Sequence, residues 1–181
     1  MNTKMSKLAL AIGALVMAGG AMAADATAPI TAEVIAPIAI TKVTDLSFGN
    51  LAAGNGVVTV ATDSTRAAAG PLALVTTGST PTAAKFNVTG QGAQTFSIVT
   101  TASSTELASV AVGSSPMPFA LITESIPGAD ATATKKTTGT SVTGTMLTGA
   151  ATIYAGGALT VAAAQTPGSY TGTVSVSVEY N

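Results

Sequence analysis

The chain of 181 residues contains no cysteine, no histidine and no tryptophan. Without cysteine it can form no disulfide, so cysteine usage says nothing about its redox compartment. Without histidine and cysteine it has no imidazole base, no thiolate nucleophile and no Cys/His zinc site. Ser–His–Asp and Cys–His catalysis are excluded for the same reason. The sequence therefore predicts a protein that is not an enzyme and that holds no cofactor or metal.

Charged residues are also scarce, at 8% of the chain, with 7 Lys and Arg against 8 Asp and Glu. This balance leaves no basic surface, so we expect no nucleic-acid partner. Low net charge with a hydrophobic fraction of 47% is the opposite of the composition of disordered chains, and it predicts a folded domain.

The first 23 residues have the three-part layout of a secretory signal peptide. Two lysines precede an apolar run over residues 8–17, and small residues follow at Ala21 and Ala23. The alternative is a membrane anchor, but the run has about half of the roughly 20 residues that a spanning helix needs. We expect export, cleavage after Ala23 and a mature chain without a membrane span.

Residues 24–43 alternate between an apolar face at even positions and a mostly polar face at odd positions. This period of two is typical of a long β-strand. Pro29 and Pro37 lack the N–H that a ladder needs, so they confine the segment to a sheet edge or divide it into two strands. Phe48 follows as a candidate core residue.

The middle of the chain shows short strand patterns separated by turn signals. Phe86 and Val88, then Phe96 and Ile98, flank a Gly-rich stretch and predict a hairpin. We also predict a turn at Gly156-Gly157. The remaining expectations are strands at 57–60, 72–75, 107–112, 119–122 and 159–161, a loop or helical turn over 61–70, and an exposed loop over 127–140.

The C-terminal stretch has the clearest pattern. Residues 166–169, Thr-Pro-Gly-Ser, fit a type II turn with Gly168 in third position. Tyr170 then begins a run of about eleven residues in which apolar and polar side chains alternate. The chain as a whole predicts an all-β fold, an antiparallel β-sandwich, because it combines many short strands with no amphipathic helix after the signal. The apolar positions of the last strand are Tyr170, Val174, Val176, Val178 and Tyr180.

These residues resemble the bacterial chaperone–usher pilins, especially the archaic branch that is similar to spore-coat protein U. The likeness is in the Pro167-Gly168-Ser169-Tyr170 entry, the alternating Val and Thr, a Gly about fourteen residues from the end (Gly168) and the penultimate Tyr180. Phe48-Gly49 is similar to an early Phe-Gly of the same family. Residues 86–90, Phe-Asn-Val-Thr-Gly, also resemble a hairpin of a poorly characterised secreted β-sandwich family. The absence of cysteine departs from the spore-coat branch.

The resemblance implies an immunoglobulin-like sandwich over residues 36–181 that lacks one strand. In such pilins a periplasmic chaperone lends a strand, and the N-terminal extension of the next subunit replaces it by β-strand addition. Residues 24–35 are then the candidate donor, and the C-terminal strand, with Gly168, is the candidate assembly and chaperone-contact strand. The face that the donor would insert is Ala28, Ile30, Ala32 and Val34.

Two functions stay open on the sequence. The first is a structural subunit of a pilus or fimbria on the cell surface, a homopolymer that is exported through the periplasm with the help of a chaperone and an outer-membrane usher. The second is a monomeric secreted adhesin or ligand-binding module, in which residues 24–43 form the first strand of the domain itself.

Overall fold

The computed structural model describes residues 24–52, 54–102, 106–109, 114–127 and 141–181. Throughout these ranges the regular structure is β-strand, with antiparallel pairing and no helix. The predicted all-β class and β-sandwich are therefore confirmed. The predicted signal peptide and most of the predicted 127–140 loop lie outside the described residues. The strands are β1 Ala39–Thr44, β2 Gly56–Val60, β3 Arg66–Ala69, β4 Ala84–Thr89, β5 Thr95–Ala102, β6 Glu106–Ser109, β7 Met117–Pro127, β8 Ser141–Thr145, β9 Ala150–Val161, β10 Tyr170–Thr171 and β11 Val174–Tyr180.

The chain divides into two units, Met1–Glu33 and Val34–Asn181. In the first unit, residues 24–33 contain no strand and their side chains are exposed. In the second unit, regular structure begins at Ala39. The long strand predicted over 24–43 is therefore wrong for its first fifteen residues. Alternation alone does not make a strand, because an alternating segment becomes one only where a neighbouring strand hydrogen-bonds to it.

The larger sheet is built around β9 and has the order β1-β4-β9-β7-β6-β10, with β2 and β3 joined to it through β9. One edge of β9 pairs with β4 over residues 150–155 and with β2 over residues 157–161. Its other edge pairs with β7 over residues 151–159. The smaller sheet has three strands in the order β11-β5-β8. β9 is thus paired along both edges for almost its whole length.

Two clusters of buried side chains form the core. The first lies between the sheets and combines β4 and β9 of the larger sheet with Phe96 and Ile98 of the smaller sheet. The second lies within the curled larger sheet, and its members include Val58, Phe119 and Leu159. A buried hydrogen bond of 3.0 Å between the hydroxyl groups of Thr123 in β7 and Thr100 in β5 also joins the two sheets.

Phe48 belongs to the second cluster, as predicted. It is 9% exposed, and its ring meets that of Phe119 edge-on, with centroids 6.1 Å apart and planes at 87°. This T-shaped arrangement places the positive edge of one ring on the negative face of the other, which adds to the stabilisation from burial.

The predicted hairpin between Phe86 and Ile98 is wrong, although both of its strands exist. β4 pairs with β1 and β9, whereas β5 pairs with β11 and β8. The connection is held by a different turn: Gly90 N–H donates to Gly149 C=O at 2.9 Å, and Gly149 N–H donates to Gly92 C=O at 2.7 Å. The Gly-rich stretch therefore carries the chain from one sheet to the other.

The turn predicted at Gly156-Gly157 is also wrong, because both residues lie inside β9. A Cβ on Gly156 would overlap the carbonyl oxygen of Val60, and a Cβ on Gly157 would overlap the ring of Phe119. Glycine within a strand marks such close approaches. The two glycines are there to make room for neighbours and not to reverse the chain.

Three smaller expectations also change. Residues 66–69, predicted as loop or helical turn, form β3 and pair with β2. The strand predicted at 72–75 is reduced to an isolated bridge between Leu74 and Leu51. Gly168 lies in a bend and lacks the positive φ that a type II turn requires at its third residue.

Candidate functional site

The predicted eleven-residue C-terminal strand is interrupted, and its two parts lie in different sheets. Tyr170–Thr171 form β10, which pairs with β6 in the larger sheet. After Gly172 and Thr173 the chain enters β11, which pairs with β5 in the smaller sheet. Residues 170–180 therefore connect the two sheets, which local alternation alone does not reveal.

Among the residues that the structure describes, β11 forms a ladder along only one of its two edges, the one that faces β5. Its side chains alternate strictly, with Ser175, Ser177 and Glu179 exposed. The predicted apolar positions point the other way and pack against the first core cluster, but they are only half-buried. An open edge beside half-buried apolar side chains is the arrangement that invites another strand. These half-buried positions are Val174, Val176, Val178 and Tyr180.

A cleft of about 870 Å³ opens beside the end of edge strand β1 and the start of edge strand β11. One wall comprises the end of β1 and the segment after it, residues 42–52, and the other comprises residues 165–174. Gly168 and Tyr170, two of the residues predicted for assembly, lie in this second wall. The floor consists of core side chains of the larger sheet, namely Phe86, Met117, Phe119, Leu159 and Val161.

The wall formed by residues 165–174 is held in place by a polar cluster around Gln165. This side chain is 8% exposed, and its amide nitrogen donates to Ser115 C=O at 2.6 Å and to the Tyr170 hydroxyl at 2.8 Å. The Tyr170 hydroxyl in turn donates to Thr166 C=O at 2.7 Å. Because these donors are satisfied within the wall, residues 165–170 have a defined shape along the cleft.

The wall formed by residues 42–52 is held in place by Arg66, which no sequence pattern singles out. Its guanidinium donates to the backbone carbonyls of Phe48 at 2.8 Å, Asn50 at 3.1 Å and Val75 at 2.8 Å. Gly49, at φ +71°, lies beneath this group, and a Cβ there would lie 2.7 Å from an Arg66 nitrogen. Arg66 therefore ties the chain on one side of the cleft to the next loop. A single arginine in a weakly patterned segment gives no local signal of such a contact.

Tyr180 lies at the end of β11 away from the cleft, whose lining includes only Val174 of that strand. The Tyr180 hydroxyl accepts a hydrogen bond from Gln91 N–H at 2.7 Å and donates one to Ala36 C=O at 2.9 Å. In the lining of the cleft, Lys42 and Asp45 form an exposed ion pair with an N–O distance of 2.6 Å. This pair lies at the rim and contributes little to stability, because it is screened by water.

The four residues predicted for the donor face lie in a segment without strand structure. Ile30 is 98% exposed and Val34 is 97% exposed, and Ala28 and Ala32 are exposed as well. Single exposed apolar side chains are common, but a set of them on one face of a segment can mark a protein–protein contact. The structure thus describes an open strand edge with a cleft, and separately a short alternating segment with uncovered apolar side chains.

The described residues also bear on metal binding and on membrane crossing. No group of three or more His, Cys, Asp or Glu side chains within these ranges is arranged to hold a metal ion. Among the same residues no helix has the length and apolar character to cross a membrane.

Comparison with known proteins gives one match. The model of the family described as "Domain of unknown function (DUF4402)" matches residues 38–180. No curated protein and no solved structure gives a significant match to the chain. The match spans the sequence from β1 to the end of β11 and covers well over half of the chain. The chain therefore belongs to the DUF4402 family.

Proposed function

We propose that the chain is a secreted structural subunit of a surface pilus or fimbria, assembled by β-strand donation. Residues 24–35 of one copy add to the open edge of β11 in another copy, and their apolar side chains fill the cleft. The observation that carries this proposal is an edge of β11 with no partner among the described strands, in a strand that begins at Val174 in the wall of a cleft floored by core side chains. In this arrangement the domain is an immunoglobulin-like sandwich that lacks one strand.

The donor and acceptor have matching lengths. The inward positions of β11 are four alternating residues between Val174 and Tyr180, and the apolar face of the donor is four alternating residues between Ala28 and Val34. Each span is seven residues, or roughly 23 Å of extended strand. In β-strand addition the main chain supplies the pairing and alternate side chains enter pockets, which is the division of roles that these two segments offer.

The exposed side chains supply the driving force. Covering Ile30 and Val34, which are almost fully exposed in the described chain, is worth about 1.5–3 kcal/mol for each side chain. The core residues of the cleft floor gain cover from the same event. Closing the edge of β11 also removes a template for uncontrolled aggregation.

Donation from one copy to the next is a head-to-tail contact, and repeated head-to-tail contacts build an open filament. Before assembly the same edge needs protection, which the resemblance to chaperone–usher pilins assigns to a periplasmic chaperone. The usher of that system then carries the subunit across the outer membrane to the cell surface. The assembly and chaperone-contact strand is β11, with Tyr170 and Gly168 in the adjoining wall of the cleft.

Charge placed on the donor face tests the proposal. Ile30→Asp and Val34→Asp each require a carboxylate to enter the apolar cleft, so we expect filaments to be lost in negative-stain microscopy and in size-exclusion chromatography. Thr31→Asp is the matched control, because it adds the same charge to the same segment on the opposite face. Filaments from Ile30→Asp or Val34→Asp that equal those of the unmodified chain would contradict the donor assignment.

A monomeric adhesin or ligand-binding module is the second candidate, and the volume of the cleft favours it. About 870 Å³ lies within the range of small-molecule sites, and Gln165 and Tyr170 add polar groups to an apolar floor. Removing residues 24–35 separates the two candidates. A folded monomer both with and without these residues supports the binding module, whereas filaments that disappear on truncation support the structural subunit.

A further inference from the structure

The Tyr180 hydroxyl fixes the point at which the N-terminal segment leaves the domain. It donates to Ala36 C=O at 2.9 Å, and Ala36 N–H donates to the side-chain oxygen of Gln91 at 3.5 Å. Gln91 N–H in turn donates to the same hydroxyl at 2.7 Å. Both backbone groups of Ala36 are thereby held against the end of β11, 144 residues away along the chain.

The space for this hydroxyl depends on Gly90. A Cβ at Gly90 would overlap the Tyr180 oxygen and lie 2.9–3.1 Å from the end of the Met146 side chain. The Met146 side chain is flexible and can move aside, but the hydroxyl cannot move without losing its bonds. The arrangement therefore rests on two residues far apart in sequence, the tyrosine and the glycine.

The position of Ala36 restricts which segment can fill the cleft. From the end marked by Ala36 and Tyr180, β1 leads toward Lys42 and Thr44, and β11 leads back toward Val174, all of which line the cleft. Residues 24–35 of the same chain would have to run back alongside β1. The chain would therefore have to reverse its direction at Ala36–Pro37.

Pro37 opposes such a reversal. Tight hairpins use turns with a positive φ at one or both central residues, whereas the proline ring holds φ near −65°. The residue before a proline is pushed toward extended backbone, which disfavours a helical conformation at Ala36. Tyr180 and Gln91 also hold Ala36, which adds to the cost of a reversal at this point.

We propose that Tyr180 is a positioning residue that determines whose segment fills the cleft. By holding Ala36 it disfavours occupation by residues 24–35 of the same chain and leaves the site open to a second copy. This inference rests on the proposed function, because it concerns the source of the donated strand. It adds that the choice between self-completion and assembly depends on one hydroxyl group.

The test compares crosslinks within and between copies. The chain has no cysteine, so Thr31→Cys and Ser177→Cys introduce a unique pair of thiols, one on the donor and one on the exposed face of β11. Equal amounts of ¹⁵N-labelled and unlabelled exported chains that carry both changes are mixed, allowed to assemble and treated with a short bismaleimide. Crosslinked peptides of mixed isotope report donation between copies, and an excess of unmixed peptides reports self-addition.

Tyr180→Phe and Gly90→Ala are two independent ways to remove the contact, and Tyr154→Phe is the control for loss of a tyrosine hydroxyl elsewhere. Random donation between copies gives mixed and unmixed crosslinks in equal amounts, and we expect this ratio in the otherwise unmodified pair and in Tyr154→Phe. Loss of the bonds to the hydroxyl should raise the self-addition share about tenfold in both test variants, in line with the usual contribution of one or two hydrogen bonds.

Each result has a defined meaning. Mixed crosslinks at the same share in all variants would overturn the role of Tyr180 and leave strand donation intact. No crosslink between the two thiols in any sample would instead overturn the proposed function, and the selecting role with it. If neither Tyr180→Phe nor Gly90→Ala folds, as judged by circular dichroism, Tyr180 is required for the fold itself and the selecting role is rejected.

Discussion

β9 and β11 are both strands of the sandwich, but they differ in how many partners they have and in how deeply they are buried. β9 pairs along both edges with three other strands, and most of its residues are buried. β11 pairs with β5 alone among the described strands, and even its inward residues are half-buried. The strand with the smaller side chains is the more deeply buried. Burial in this fold is therefore set by how many neighbours a strand has, and side-chain size adapts to the space they leave.

Hydrogen exchange should show the largest difference between the two strands. The amides of β9 are expected to open only with global unfolding, whereas those amides of β11 that point to the open edge exchange by local opening. At ordinary domain stability the rates differ by about 10³-fold or more. Exchange measured by NMR on the isolated subunit checks this, and slow exchange along both edges of β11 would show that its second edge is covered.

Truncating one core side chain in each strand should lower the free energy of unfolding by different amounts. Ile153→Ala in β9 removes a side chain that is 0% exposed and leaves a cavity, so we expect the free energy of unfolding to fall by about 2–5 kcal/mol. Val178→Ala in β11 removes less area from a half-buried position, and we expect about 1 kcal/mol. Urea unfolding of the isolated subunit measures both, and equal losses would remove the distinction.

Adding a methyl group to β9 tests how tightly neighbouring groups pack against this strand. Gly157→Ala forces a Cβ into the ring of Phe119 and against Ala120 C=O, which we expect to cost about 1–3 kcal/mol in unfolding free energy. Gly172→Ala, at the entry to β11, is the matched control. Its Cβ would meet only Leu107 at 3.5 Å, an ordinary contact, and should change stability by less than about 0.5 kcal/mol. Similar thermal unfolding midpoints for the two variants would argue against tight packing of β9.

The smallest effect concerns Asp63, in the loop between β2 and β3. The Thr65 hydroxyl and then the Thr65 N–H donate to its carboxylate, and both hydrogen bonds hold the pKa of Asp63 below its ordinary value of 3.8. Because the folded pKa is the lower one, the ionised group stabilises the fold above about pH 3.8, and this contribution is lost as the pH falls through the folded pKa. The carboxylate is largely exposed, so water screens the effect and keeps it small.

Asp63→Asn and the unmodified chain should therefore differ less in free energy of unfolding as the pH falls below about 4. Urea unfolding at a series of pH values measures this difference. Thr65→Ala removes the hydroxyl donor but keeps the N–H donor, and it should weaken the same pH dependence. Val178→Ala, far along the chain in β11, should leave that dependence unchanged. A pH dependence that survives in Asp63→Asn would assign it to another group.

Local pattern predicted the strands whose side chains alternate between two environments. The all-β class, the existence of strands at β4, β5 and β11, and the burial of Phe48 follow from such patterns, because each residue reports the face on which it lies. The predicted turn at Gly156-Gly157 shows the limit of this reasoning. A glycine that reverses the chain and a glycine that admits the ring of Phe119 have the same sequence signal.

Pairing partners were beyond local pattern for a different reason. Phe86 to Ile98 reads as a hairpin, but the partners of β4 and β5 lie elsewhere in the sequence. The contact between Tyr180 and Gln91 joins residues 89 positions apart, and the carbonyls that Arg66 binds are on separate loops. No spacing rule connects such residues. The contacts of Arg66 fix one wall of the cleft, so the position of the cleft emerges only when distant segments are brought together.

The passage from β10 to β11 has a consequence for cooperativity. Tyr170–Thr171 belong to the larger sheet, Val174–Tyr180 belong to the smaller one, and only Gly172 and Thr173 separate them. A two-residue connection leaves almost no slack, so neither sheet can lose its last strand without straining the ladder of the other. We therefore expect the two sheets to unfold together as one cooperative unit.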